Sequence, residues 1–432
     1  MHHRGVTHLL LAMLLATLLA CRAGEVHARE VQSLQARHQR ATPALRQAVA
    51  VRLAAVQRAA EAGNLDAAER ELAMLEADHA GMRALNSYEL ANVYNFRAHI
   101  HYTKKEFQAA LHAWEQVLAQ PDLPQAMVQG TRYSLAQLYV ATGAWEQAAS
   151  MLDAWFRSAE NPDADAWMLL AQAHYRLGRH DDALQDIERA LAAARLRSQP
   201  PRESWYLLQR QASFARGDLQ ATARVLEVLA ARWPRKDYFV QLAAVLGEIG
   251  DTARERAVLE VAYRAGWLDA ERELLDLAYL HLGGETPILA ARVLEEGMRA
   301  GRIGTDARTL GLLGAALREA HESRRAVEVL GRAAELADDV QAWVRLASAQ
   351  IEANDDGAAV VAARRALALG GGERPDTVRI MLGMALYDLG NYTEARSAFT
   401  EAARDRRSRQ SARQWLRFLD AETARARQLA GD

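Results

Sequence analysis

Apolar and polar positions along this chain repeat in one fixed order. A helical segment ends at a glycine, an apolar or aromatic residue follows two places on, and an alanine stands three places further. The first instance is Gly63-x-Leu65-x-x-Ala68. It returns as Lys105-x-Phe107-x-x-Ala110, Gly143-x-Trp145-x-x-Ala148 and Gly178-x-His180-x-x-Ala183. Looser copies are Gly217-x-Leu219-x-x-Thr222 and Gly250-x-Thr252-x-x-Glu255. After an irregular unit placed at Gly284 come His321-x-Ser323-x-x-Ala326, Asn354-x-Asp356-x-x-Ala359 and Gly390-x-Tyr392-x-x-Ala395. Each turn must reverse the chain between two helices, which a glycine with positive φ does without steric cost. Behind each turn, apolar residues fall at helical spacing, as in Ala183, Ile187 and Ala190, or Ala395, Phe399 and Ala402. Small residues recur on the segment before the turn, at Ala98, Ala136, Ala171, Ala243, Gly314, Ala347 and Gly383, where paired helices cross closely. Leu135, Leu170, Leu242, Leu313, Leu346 and Leu382 stand one place before six of these sites.

The steps between turn residues run from 33 to 42 residues. That spacing clusters around the 34-residue period of tetratricopeptide repeats, each a pair of antiparallel helices. No stretch alternates with a period of two, so no sheet is predicted. Eight prolines (Pro43, Pro121, Pro124, Pro162, Pro200, Pro201, Pro234 and Pro375) fall between units, where a helix must end. Pro287 is the exception, inside the seventh unit. The reading is an all-α, right-handed α-solenoid of about ten tetratricopeptide-like helix pairs over residues 42–404. A capping helix and tail follow over 405–432. Trp415, Leu416 and Leu419 give that helix one apolar stripe. Arg406, Arg407, Arg409, Arg413, Arg417, Arg425 and Arg427 make its other face a solvated one, as the end of a repeat stack requires.

Residues 1–28 read as an address. Leu9 to Ala20 is an apolar run too short to span a bilayer as a helix, which needs about 20 residues, and it has the length of a secretory core. Two outcomes stay open. Leu18-Leu19-Ala20-Cys21 has the form of a lipobox that would put a lipid on Cys21; Val26-His27-Ala28 has the small residues for cleavage after Ala28. Either way the chain is expected in the periplasm, in the first case tethered to the outer membrane through lipidated Cys21.

Composition then narrows the chemistry. The 432 residues are 50% hydrophobic and 25% charged, enough for a large core. A net charge of −2 excludes the strongly basic balance of a dedicated nucleic-acid binder. With Cys21 the only cysteine, neither a disulfide framework nor a cysteine zinc site can form. Lysine occurs only at Lys104, Lys105 and Lys236, a scattered arginine bias with no evident chemical use. No phosphate loop, His-Glu-x-x-His or nucleophile elbow occurs. His99 and His101 lie on different helix faces and cannot chelate together. The pairs Asp181-Asp182 and Asp355-Asp356 are read as helix caps. Trp114, Trp155, Trp167 and Trp343 fall at core repeat positions. No catalytic, metal or cofactor residue is assigned, and the expectation is a protein that is not an enzyme.

The working surface is instead expected on the first helix of each pair. Counting back from the turns gives Asn92, Asn95, His99 and Tyr102; Tyr133 and Gln137; Met168, Gln172 and Tyr175; and Ser204, Gln211 and Phe214. Amides can bond a main chain while rings supply contact area, so an extended peptide suits this groove. The lysine needed by a clamp for acidic C-termini is absent there.

Several segments also carry a resemblance. Leu85-Asn86-Ser87-Tyr88-Glu89, Tyr133-Ser134-Leu135-Ala136-Gln137-Leu138-Tyr139, Asn161-Pro162-x-Ala164-Asp165-Ala166, Ala290-Ala291-Arg292-Val293-Leu294-Glu295-Glu296-Gly297-Met298 and Leu382-Gly383-Met384-Ala385-Leu386-Tyr387 resemble a proteobacterial family. Its members are exported tetratricopeptide proteins encoded beside TonB, ExbB and ExbD-type components. The resemblance spans residues 42 to 420 and implies a periplasmic adaptor of an energy-transduction system, with protein partners in the envelope and no catalytic residues. Two alternatives remain at this point: an outer-membrane lipoprotein that assists pilus, secretion or outer-membrane assembly, or a regulatory subunit of a cell-wall enzyme.

Overall fold

The computed structural model describes residues 43–79 and 84–431, so Cys21 and the leader expected over residues 1–28 lie outside the described residues. Those residues hold 21 helices and no strand. In chain order they alternate as ten first and ten second helices, paired by their order in the sequence, and one closing helix. The first five pairs are α1 (Gln47–Glu61) with α2 (Leu65–Asp78), α3 (Ser87–Thr103) with α4 (Phe107–Leu118), α5 (Gln125–Thr142) with α6 (Trp145–Phe156), α7 (Ala164–Arg176) with α8 (His180–Leu196), and α9 (Glu203–Ala215) with α10 (Leu219–Arg232). The next five are α11 (Lys236–Ile249) with α12 (Thr252–Arg264), α13 (Glu271–Gly283) with α14 (Pro287–Arg299), α15 (Ala307–Glu319) with α16 (Ser323–Ala337), α17 (Val340–Glu352) with α18 (Asp356–Ala368), and α19 (Pro375–Asp388) with α20 (Tyr392–Ala402). The closing helix is α21 (Arg409–Gly431).

Every pair turns in the same way. One residue two places before the second helix takes a left-handed backbone: Gly63, Lys105, Gly143, Gly178, Gly217, Gly250, Glu285, His321, Asn354 and Gly390. In the turn at Gly178, the Gly178 and Arg179 amides donate to the carbonyls of Tyr175 and His174, which satisfies the end of α7. The seventh turn corrects the sequence register. Gly284 has φ −104°, and Glu285 has φ 58°. The physical reason is Pro287. It is the first residue of α14, where a missing amide costs nothing and its fixed φ suits the helix, so the turn must close two places earlier.

The chain divides after Asp218 into two compact units. The first unit holds α1 to α9, and the second holds α10 to α21. Within the first, α3 packs on α4, α5 on α6 and α7 on α8, and the first helices α5, α7 and α9 touch in succession. Ala148 and Ala183 are fully buried at these crossings. Within the second, a Cβ at Gly314 would lie 2.4 Å from Leu330, and one at Gly383 would lie 2.5 Å from Phe399. A side chain at either place would push the paired helices apart, so the small residues read from sequence mark real close approaches. Leu419 and Ala412 of α21 are buried, and Trp415 stacks on Phe399, which closes the stack of the last pair. Arg374 and Arg407 hold the buried carboxylate of Asp376, to which Ser408 also donates at 2.5 Å. The Arg374 hydrogen bond keeps that carboxyl well below the usual range against the pull of burial. Asp376 thus ties the segment before α21 to the start of α19.

Candidate functional site

The residues expected to line a groove sit at fixed offsets before the left-handed turn residue, on α3, α5, α7 and α9. Their helices bury the opposite face: on α3 this is Ala91, Val93, Ala98 and Ile100. His99, Tyr102, Gln137, Gln172, Ser204, Gln211 and Phe214 remain exposed, with Tyr102 at 49% and Phe214 at 58%. Asn92, Asn95, Tyr133, Met168 and Tyr175 are half-buried. None of these twelve side chains carries a formal charge at neutral pH apart from any on His99.

The half-buried ones have partners within the protein. Asn92 donates its amide to the Tyr88 carbonyl at 2.7 Å, and the Asn95 carbonyl oxygen accepts from the Trp114 indole at 3.1 Å. The ring of Tyr133 lies 5.2 Å from Trp155, and that of Tyr175 lies 5.5 Å from His180. Burial, with Asp163 and Asp165 nearby, pushes the Tyr133 hydroxyl up. Tyr133 therefore supports the core as well as the surface. His99 meets Trp114 edge-on at 5.3 Å, and Tyr102 lies 6.1 Å from both Phe107 and Trp114. Although part of the ring reaches solvent, desolvation of the rest lowers the His99 imidazole below its ordinary value, which favours its neutral form.

Trp114 is the one tryptophan of the four that sits in the core, at 3% exposure. Trp155, Trp167 and Trp343 are half-buried, which corrects their placement from sequence. Trp167 and Trp343 pack against the core without being enclosed by it, and Trp155 lies between the rings of Tyr133 and Phe156. Sequence reasoning also missed Phe107, which is 37% exposed beside Tyr102 and extends the aromatic surface onto α4. Its place two residues after the turn was a visible signal. Asp355 caps α18 through the Ala358 amide, whereas Asp181 and Asp182 lie in the first turn of α8. Among the described residues, no group of three or more His, Cys, Asp or Glu side chains is placed to hold a metal ion. Among them no helix is long and apolar enough to cross a membrane.

Residues 133–198 and 380–427 match the tetratricopeptide repeat family model. These stretches cover most of α5 to α8 and α19 to α21, so two parts of this all-helical chain carry tetratricopeptide repeats. Among curated proteins none matches the chain. A tetratricopeptide repeat protein from Parabacteroides merdae is similar at 16% identity and a TM-score of 0.36, over 63% of this chain and 100% of its own. The TPR2AB domain of yeast Sti1, solved in complex with pHSP90, is 17% identical with a TM-score of 0.33, over 60% and 99%. YrrB, described as a TPR protein with an unusual peptide-binding site, is 16% identical with a TM-score of 0.36, over 43% and 94%.

Proposed function

We propose that this chain is a non-enzymatic scaffold that holds a partner protein by an extended segment, in the cell envelope, beside a TonB-ExbB-ExbD-type energy-transduction system. One observation supports the binding reading most. Rings and amides (Tyr102, Phe214, His99, Gln137, Gln172 and Gln211) stand open to solvent on helices whose opposite faces are fully buried. A segment laid across them would take two large rings out of water, at about 1.5–3 kcal/mol for a fully buried side chain. The glutamines can donate to and accept from its main chain. With no fixed charge on these six side chains, their share of the binding should vary little with salt. The envelope part rests on the apolar run Leu9 to Ala20 with its terminal Cys21, and the TonB part on the family segments alone.

A photocrosslinker placed at Gln137 or Gln172 in living cells should capture an envelope protein. Tyr102→Ala with Phe214→Ala should cut the adduct at least tenfold, since truncating an aromatic anchor typically costs about 2 kcal/mol and about 1.4 kcal/mol gives tenfold. Both rings are exposed, so melting should hold. Arg413→Ala with Arg417→Ala should leave the adduct in place. The reverse outcome would move the working surface to α21. For location, Cys21→Ala should shift the protein from the membrane fraction to the soluble periplasm. A wild-type chain that begins at Arg29 without lipid would remove the tether from the proposal.

A further inference from the structure

A cleft of about 470 Å³ opens in the second unit between α12, α13 and α14. That volume suits a small molecule, whose sites run from about 300 to 1,000 Å³. Its apolar lining is Leu274, Leu289 and Val293, and its polar lining includes Tyr263, Arg292 and Glu296. Three other charged residues complete the wall, and all are engaged. Glu260 accepts from Arg264 at 2.7 Å and faces the His281 imidazole at 3.1 Å, while Arg302 donates to the Leu268 carbonyl at 3.4 Å.

Arg292 and Glu296 differ. They are four residues apart on α14, which puts neighbouring Cβ atoms about 6 Å apart on one face. Yet they form no ion pair with each other. An arginine placed N-terminal to a glutamate at this spacing is the weaker order, and the Tyr263 hydroxyl from α12 already donates to Glu296. Arg292 has no hydrogen-bond or ion-pair partner among the described residues. The cleft therefore offers one unused cation and one carboxylate with spare acceptor capacity, one helical turn apart, beside apolar side chains.

We propose that this cleft binds a dipeptide with free termini and apolar side chains, its carboxylate on Arg292, its ammonium on Glu296 and its side chains over Leu274, Leu289 and Val293. An extended dipeptide spans about 7 Å at about 3.5 Å per residue, comparable to the roughly 6 Å between Cβ atoms four residues apart on one helix face. A fatty acid would leave Glu296 unmatched, and a simple amine would leave Arg292 unmatched.

The test is calorimetric titration of the full mature chain with Leu-Leu, N-acetyl-Leu-Leu, Leu-Leu-amide and decanoate. Leu-Leu should bind saturably at one site, and blocking either terminus should weaken it at least tenfold. Arg292→Gln should weaken Leu-Leu at least tenfold and abolish the difference between Leu-Leu and its amide. Glu296→Gln should abolish the difference between Leu-Leu and its N-acetyl form. Both side chains are exposed on α14, and the blocked peptides test the same contacts with no substitution at all. Absence of saturable binding, equal affinity for all three peptides, or binding of decanoate in their place would each overturn the proposal.

Discussion

The first unit has a cleft at the same repeat positions as the wide one, and the two differ in almost every lining residue. Counted from Gly143 and Gly178 in one case, and from Gly250 and Glu285 in the other, the positions correspond. Asp153 matches Glu260, Phe156 matches Tyr263, Trp167 matches Leu274, Gln185 matches Arg292, Asp186 matches Val293 and Arg189 matches Glu296. Behind them, His174 and His281 occupy the same position, four residues before the turn. The narrow cleft encloses about 170 Å³ against about 470 Å³. Trp167 fills it, stacked on Phe156 at 3.9 Å with the Arg189 guanidinium 5.0 Å from its ring, while Leu274 leaves the equivalent space open. Arg189 is also paired with Asp186 at 2.8 Å, so the narrow cleft is occupied by its own cation. In the wide cleft the charges are exchanged and Arg292 is left over. The scaffold thus fixes where a cleft forms, and side chains decide whether it is filled from within.

The largest effect should come from breaking the shared frame. Ala183 and Ala290 are the fully buried alanines that open α8 and α14 beneath the two clefts. Ala183→Glu or Ala290→Glu buries a charge with no partner placed for it, at a cost of roughly 3–5 kcal/mol. Thermal unfolding followed by circular dichroism should fall steeply for each, and unchanged melting of both would mean that the correspondence is misaligned. A middle-sized effect should come from exchanging the fillers. Trp167→Leu loses a stacked ring and should cost about 2–3 kcal/mol. Leu274→Trp should fill the wide cleft and lower Leu-Leu affinity at least tenfold. Retained binding in that variant would place the peptide elsewhere.

The smallest effect concerns acid. Burial holds the His281 imidazole below its ordinary value, only partly opposed by Glu260. The unfolded chain then binds more protons near and below pH 6.5, so this contribution is full above that pH and is lost as pH falls through it. Glu260 acts lower. Burial raises its carboxyl, but hydrogen bonds from Arg264 and His281 outweigh that and hold it below 4.5, so its share is lost only beneath that value. His281→Gln should therefore flatten the stability slope between about pH 6.5 and 5. His99→Gln should flatten the contribution of the same sign from the first unit, since burial lowers that imidazole too. An unaltered slope in His281→Gln would mean that the ring binds its proton equally well in the folded and unfolded chain.

The sequence by itself determined the pairing of helices, because turn geometry and close crossings are local demands. Gly178 must adopt positive φ, Gly383 must admit Phe399, and Ala183 must vanish between helices, and each leaves a residue type at a countable place. The first-helix face was legible for the same reason, since helical period alone sends Tyr102 and Phe214 outward. Tertiary structure alone decided the rest. Whether Asn95 is free or bound to the Trp114 indole, whether Tyr133 faces solvent or rests on Trp155, and where the chain divides into compact units depend on neighbours from other helices. Pro287 shows how near the boundary lies. A one-residue shift from Gly284 to Glu285 aligns the two clefts, and only the backbone angle of that turn revealed it. Side-chain contacts across helices are set by distances that no spacing along the chain encodes.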